Sequence, residues 1–204
     1  MDLDPELELT LRYRAKMELR KRARALRSSI PREAILERSQ RIQRALEALP
    51  ELAGAATAAL FYPIEARNEV DLTGLDGWLR ARGARVAYPS IDPDSRVMTF
   101  RFVADPEAMQ ERGLGFREPD AEDEEAAALD VIVVPALQID AHGHRIGYGA
   151  GFYDRALARF CPPARAIGVA FDFQLIPEVP VTEGDVAVAV IVTDSRVLVA
   201  ERPA

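Results

Sequence analysis

Apolar residues recur at spacings of three and four between residues 6 and 28, at Leu11, Ala15, Leu19, Ala23 and Leu26. That period predicts a long helix with one buried stripe. "SSIP" at 28–31 interrupts it, and a second helix is predicted over 31–49, burying Ile35, Ile42, Leu46 and Leu49 before Pro50 stops it. Beyond Pro50 the pattern changes to short apolar runs. "ATAALFYP", "ARVAYPS", "RVMTFRFV", "LDVIVVPALQID", "ARAIGVAF", "VAVAVIVT" and "RVLVA" read as strands. "DLTGLDGWLRARG" and "FYDRALARF" read as helices between them, and the acidic "EPDAEDEEAAA" as a surface loop or short helix. Continuous apolar strands separated by helices predict an α/β fold, a mainly parallel sheet covered on both faces. No repeat and no long linker divides the 204 residues, so one domain over 1–204 is expected, with residues 1–10 as its flexible part.

Composition narrows the class. A hydrophobic fraction of 49% and a charged fraction of 29% are ordinary for a soluble globular protein. No apolar run reaches the roughly 18 residues of a membrane span, and "MDLDPELELT" lacks the blocks of a secretory signal. Cys161 is the single cysteine, which rules out an intrachain disulfide and a cysteine-based zinc site. A reduced, cytoplasmic setting is expected. Charge is uneven: residues 12–44 carry twelve Lys or Arg against three Glu, a local +9 in a chain of net −7, so the remainder sums to −16. An overall pI near 5.0 speaks against nucleic acid as the partner. Phosphate on a small ligand, or simply a solvated helix face, accounts for the basic segment.

The chemistry concentrates in "RIGYGAGFYDR", residues 145–155, which follows the most apolar strand and opens a helix. Gly147, Gly149 and Gly151 let backbone N–H groups approach and converge on an anion, and the helix start adds free donors. Arg145 can offer a planar guanidinium to phosphate oxygens at the same turn. The run lacks the Lys and Ser/Thr of the common nucleotide loop and the spacing of dinucleotide folds, so a tight surface turn is the plain alternative. Phe152 and Tyr153 either enter the core or wall a pocket for a flat ligand. Asp154 could hold Mg2+ beside a phosphate, or serve only as a first-turn acid of the helix. His142 and His144 read as part of the surface turn "DAHGHR", and Trp78 as core or partly buried surface.

"LDVIVVPALQIDAHGHRIGYGAGFYDR" resembles the signature of the 5-formyltetrahydrofolate cyclo-ligase (5,10-methenyltetrahydrofolate synthetase) family, through Asp140, Gly143, Arg145, Gly147, Gly149, Gly151, Tyr153 and Asp154. "KMELR", "NEVDL", "GFREP" and "FQLIPEVPVTEGDVAVAVIVTD" are similar to further family segments, in order along nearly the whole chain. The resemblance implies a three-layer α/β/α fold of the NagB/RpiA-like kind. It implies ATP contacts from Lys16, Arg20, Arg145, Gly147, Tyr148, Gly149, Ala150, Gly151, Phe152 and Tyr153, with Arg145 catalytic. It implies folate contacts from Glu69 and Tyr62, and Mg2+ at Asp154 and Asp185. Lys16 and Arg20 are four apart and share a helix face, where two cations can meet one polyphosphate.

The implied activity is ATP-dependent cyclisation of 5-formyltetrahydrofolate to 5,10-methenyltetrahydrofolate, with release of ADP and phosphate. The expected partners are these small molecules, with no nucleic acid and no membrane, and the chain is expected to act as a monomer. Departures from the family pattern cluster on the folate side. "YPIEARNE" is about two residues longer than usual, Leu72 stands for a threonine, Phe152 for a tyrosine, and Gly184 for a histidine or asparagine. They motivate two alternatives: a non-catalytic nucleotide- or folate-binding paralogue, and an enzyme of this fold acting on another N-formyl or sugar-phosphate substrate.

Overall fold

Runs that are apolar on both faces need cover on both faces, and the chain supplies it with helices. The structure, a computed structural model, describes residues 4–92, 94–112 and 115–200. The chain runs through α1 (Pro5–Ser28), α2 (Arg32–Glu47), α3 (Pro50–Ala53), β1 (Thr57–Ala59), a 3₁₀ turn at Glu65–Arg67, α4 (Thr73–Ala81), β2 (Arg85–Ile91) and β3 (Met98–Phe102). β4 (Gln110–Glu111) and β5 (Arg117–Glu118) pair with each other before β6 (Val131–Pro135). β7 (Gln138–Ile139) and β8 (Arg145–Ile146) form another small ribbon, followed by α5 (Phe152–Phe160), β9 (Arg165–Val169), β10 (Val190–Val192) and β11 (Val197–Val199).

The seven-stranded sheet has the order β11-β10-β9-β6-β1-β2-β3. Its five inner strands are parallel, and β3 and β11 close the edges antiparallel. Alternation along β6 shows how the layers form. Val131 and Val133 join the core beneath α2 and α4, with Ile35, Ile42, Leu46, Leu75 and Leu79. Ile132 and Val134 join the opposite core beneath α5, with Ala156, Leu157 and Phe160. Each fully buried Leu or Ile contributes about 1.5–3 kcal/mol, so these alternating faces fix the register of the sheet. The mainly parallel α/β layering expected from the sequence is the observed one.

The differences have local causes. "LDVIVVPALQID" makes two strands, because the Leu137 N–H leaves the sheet to bond Ile146 O, at 2.8 Å, at the end of β8. "ATAALFYP" contributes only Thr57–Ala59 to β1, and its remainder turns toward the cleft described below. The acidic 118–125 stretch is not helical. Residues 5–10, expected to be loose, form the first turns of α1, where the Asp4 carboxylate accepts the Glu6 N–H at 3.0 Å; residues 1–3 lie outside the described residues.

The largest correction concerns the face of α1. Leu11 and Leu26, placed in a buried stripe by their spacing, are 44% and 46% exposed, while Lys16 and Arg27 are each 4% exposed. α1 lies against β7, β8 and the 3₁₀ turn rather than on the main sheet, so its polar stripe turns inward. Ala23 alone of the expected stripe is fully buried, in a small cluster with Leu137, Ile146 and Val179.

Asn68 anchors the long 62–69 connection to this helix. It sits in the left-handed region at φ 50°, and its Nδ2 donates to Arg27 O at 3.1 Å and Ile30 O at 3.0 Å, taking up carbonyls at the end of α1. Asn68→Ala loses both bonds and places a less tolerant residue at positive φ, so a destabilisation of about 1–3 kcal/mol is expected. Urea unfolding measures it, and an unchanged midpoint would remove the anchor.

Candidate active site

A cavity of about 470 Å³ opens at the carboxyl ends of the inner strands. β1 runs on into Phe61 and Tyr62, β2 ends at Ile91 and β6 at Pro135, and all four of these residues line it. From β1 the chain builds β2 and β3 on one side, then returns to build β6, β9 and β10 on the other. The crevice therefore sits where strand order reverses, the place where open α/β sheets hold ligands.

The glycine turn forms one wall. Gly149 and Gly151 adopt φ of 106° and 67°, and Gly151 is the N-cap of α5. A side chain at 149 would be strained by that backbone, and its Cβ would stand 3.3 Å from the Arg20 guanidinium. Gly147 does not take a positive φ, and a Cβ there would project into open space. Among the described residues, no acceptor takes the N–H groups of residues 147–151. That leaves a row of backbone donors beside the N-terminus of α5, an arrangement that suits an anion.

Cations and carboxylates alternate around the turn. The Lys16 ammonium donates to Thr182 Oγ1 at 2.7 Å and pairs with Asp185. The same Asp185 carboxylate accepts the Thr182 N–H at 2.8 Å. Arg20 Nε donates to Gly147 O at 3.0 Å, tying α1 to the turn. Arg145 pairs with Asp154 at 2.8 Å and also donates to Val186 O, while the Val186 N–H donates back to Asp154 at 3.2 Å. Burial lowers the pKa of Arg145, and the neighbouring Asp154 partly offsets it. Each carboxylate expected to meet a metal is thus paired with a cation expected to meet phosphate.

The opposite end is aromatic and carboxylate-bearing. Glu69 is 4% exposed, with one oxygen accepting the Ile64 N–H at 2.9 Å and the other the Tyr148 hydroxyl. That hydroxyl also accepts from Arg27 Nη2 at 2.5 Å. Burial first, then the charge of Glu69, pushes the Tyr148 pKa up to about 12. Tyr153 is likewise raised, chiefly by burial. Tyr62 donates to Glu107 at 2.8 Å, under the Arg117 guanidinium. Phe152 and Tyr153 do both things left open for them: each packs on the core beneath α5 and lines the cavity.

Every residue given a site role from the sequence lines this one cavity, from Lys16 and Arg20 through Tyr62, Glu69, Arg145 and the 147–153 turn to Asp154 and Asp185. Residues up to 169 positions apart in the chain are brought into contact. Residues 12–194 match the 5-formyltetrahydrofolate cyclo-ligase family. The chain belongs to that family.

Its relatives agree along its length. It is 30% identical over 185 residues to the 5-formyltetrahydrofolate cyclo-ligase of Escherichia coli K12, covering 88% of this chain and 98% of the other. It is 32% identical over 195 residues to the cyclo-ligase of Mycolicibacterium smegmatis, covering 93% and 98%. The solution structure of Aquifex aeolicus 5,10-methenyltetrahydrofolate synthetase superimposes with a TM-score of 0.79 at 30% identity, covering 93% of this chain and 94% of that one. The Mycoplasma pneumoniae synthetase shares the fold at a TM-score of 0.70 and 24% identity.

Within this cyclo-ligase family member, Thr182 and the side chain of Tyr148 take parts that the sequence does not indicate. Thr182 completes the Lys16–Asp185 cluster, and its only signal is its position three residues before Asp185. The sequence places Tyr148 in the turn through its backbone, whereas its side chain reaches Glu69 at the other end of the cavity. The two histidines belong to a turn organised by buried Asp140, whose carboxylate accepts the N–H groups of His142 and His144 at 3.0 Å each. Among the described residues no helix is long and apolar enough to cross a membrane.

Proposed function

We propose that this chain closes 5-formyltetrahydrofolate to 5,10-methenyltetrahydrofolate at the expense of ATP, releasing ADP and phosphate, and that it does so as a monomer. One observation carries the proposal: a row of backbone donors with Lys16, Arg20 and Arg145 beside it shares a single cavity with a buried carboxylate and aromatic walls, which leaves room for nucleotide and pterin side by side. The formamide oxygen is a weak nucleophile and a poor leaving group. Transfer of the γ-phosphoryl to it gives an iminium phosphate. The neighbouring N10 amine then attacks the formyl carbon, loses its proton, and phosphate departs.

Phosphoryl transfer of this kind asks mainly for alignment and for charge neutralisation. Lys16, Arg20 and Arg145, with the N–H groups of 147–151, supply both at the phosphates. Glu69 accepts from the polar edge of the pterin, and its bonds to Ile64 and Tyr148 hold it in one orientation. Phe152, Tyr153 and Tyr62 exclude water from the reacting atoms. Substrate atoms perform the attack, so no protein nucleophile is required.

Asp154 and Asp185 fit Mg2+, which takes one or two carboxylates and completes its shell with phosphate oxygens and water. Among the described residues no group of three or more His, Cys, Asp or Glu could hold a metal ion. When bound at Asp154 and Asp185, the ion would supply charge neutralisation at the phosphates.

The test is to mix protein, Mg-ATP and 5-formyltetrahydrofolate and to follow the near-UV band of the methenyl product together with ADP. Folate-dependent ADP release with a rising band is expected. Nucleotide binding with no turnover would instead select the non-catalytic paralogue, and turnover only with another N-formyl compound a different substrate. Glu69→Gln separates the two halves of the site. It is expected to raise KM for the folate by about 10- to 100-fold, as losing a charged acceptor does, with KM for ATP unchanged. Equal changes in both KM values would take Glu69 out of folate binding.

A further inference from the structure

Beside the main cavity lies a second one of about 390 Å³, lined by Arg24, Arg27, Ser28, Ala66, Arg67 and Tyr148. Three of its six walls are arginines, and two, Arg67 and Tyr148, also line the main cavity. The guanidinium carbons of Arg24, Arg27 and Arg67 stand 5.3, 5.9 and 4.9 Å from the centre of the Tyr148 ring. Among the described residues, Arg24 and Arg67 pair with no carboxylate. The one carboxylate near Arg27 is Glu69, at 3.8 Å, already engaged by Tyr148 and the Ile64 N–H. Arg27 is 4% exposed, and its Nε is buried with no partner. The Asn68 anchor on α1 holds the adjacent Arg67 against this face of the helix.

Three converging guanidiniums with one shared counter-charge are mutually repulsive, and the ring face offsets only part of that. What they lack is an acceptor-rich anion, which forked guanidiniums bind with charge-assisted hydrogen bonds. We infer that this second cavity is an oxyanion site, separate from the phosphate cradle, which takes a small ligand bearing two or more phosphate or carboxylate charges. Two sources share that chemistry. One is a free anion. The other is the carboxylate end of the folate, reaching from the main cavity past Tyr148, and this form rests on the function proposed above.

Thermal melting of the ligand-free protein in citrate, and separately in inorganic phosphate, with ionic strength matched by sodium chloride, reads the site without ATP or folate. A rise in melting midpoint is expected for the wild type and for Lys16→Met, which alters only the cradle. The rise should be clearly smaller in Arg24→Gln/Arg67→Gln, whose side chains are exposed, and Arg67→Gln alone repeats the comparison with a single surface change. A rise that is undiminished in the arginine variants, or wholly lost in Lys16→Met, places the anion in the cradle alone and overturns the inference. A second arm compares 5-formyltetrahydrofolate with 5-formyltetrahydropteroate, which lacks the glutamyl carboxylates. If the folate holds the site, its KM is lower by about tenfold, and the gap closes in the double variant. Equal KM values with the citrate effect intact identify a free anion. Failure of the cyclisation assay leaves the melting result standing, so the two readings fail separately.

Discussion

Arg145→Ala is expected to lower kcat/KM for the ring closure by about 10³-fold or more, the scale of losing an arginine that stabilises a phosphoryl-transfer transition state. The residue is placed for that role. It is almost fully buried, it joins β8 to the start of α5 through Asp154, and it fixes the 185–186 backbone through Val186 O. Burial disfavours its charge, so an incoming phosphate restores an interaction that water no longer supplies. The same substitution has a structural cost, because Asp154 loses its partner. Asp154 is 29% exposed and can recover hydration, so the cost should fall below the about 3–5 kcal/mol of breaking a fully buried pair. Arg145→Lys divides the effects: it keeps the charge and much of the stability, but not the planar fork. Circular dichroism with urea unfolding measures the first part and stopped assays the second. Wild-type kcat in folded Arg145→Ala would remove the residue from the reaction.

What could be read ahead from residues alone follows from how local the deciding forces are. "FYDRALARF" reads as a helix and is observed as α5, Phe152–Phe160, because what bounds it is local: Gly151 stands at its entry and Pro162 and Pro163 follow its end. The glycine turn before it is legible for the same reason. The same local pattern predicts α1 as a helix but not the face it buries. Spacing locates a stripe, whereas only the tertiary position decides which stripe is covered, and here the neighbour is a polar cleft. Lys16 and Arg27 are buried because carboxylates and hydroxyls from residues 69, 148, 182 and 185 meet them there. None of those partners is near α1 in the sequence. The link from Tyr148 to Glu69, across 79 positions, is of the same kind. It leaves no periodic trace.

Lys16→Met should weaken Mg-ATP and strengthen the binding of a divalent ion alone, two effects of opposite sign from one substitution. Lys16 is the counter-charge of Asp185 and a donor to Thr182. In the proposed function the phosphates of an entering nucleotide would compete for Lys16 and release the carboxylate. Removing the ammonium takes away a charged hydrogen bond worth about 1.5–3 kcal/mol, which is about 10- to 100-fold in affinity. The uncompensated Asp185 would also repel the phosphates, adding to the loss. For the metal alone the balance reverses, because in the wild type a cation must first displace Lys16, and in the variant Asp185 is already free to accept one. Titration calorimetry with Mg-ATP, and paramagnetic titration with Mn2+ in the absence of nucleotide, read the two halves independently of turnover. Folate affinity, which the proposal assigns to the far wall at Glu69, should not change. If both ligands weaken together, Lys16 acts only by holding α1 to the 182–185 loop, and the exchange of partners between cradle and metal carboxylates does not occur.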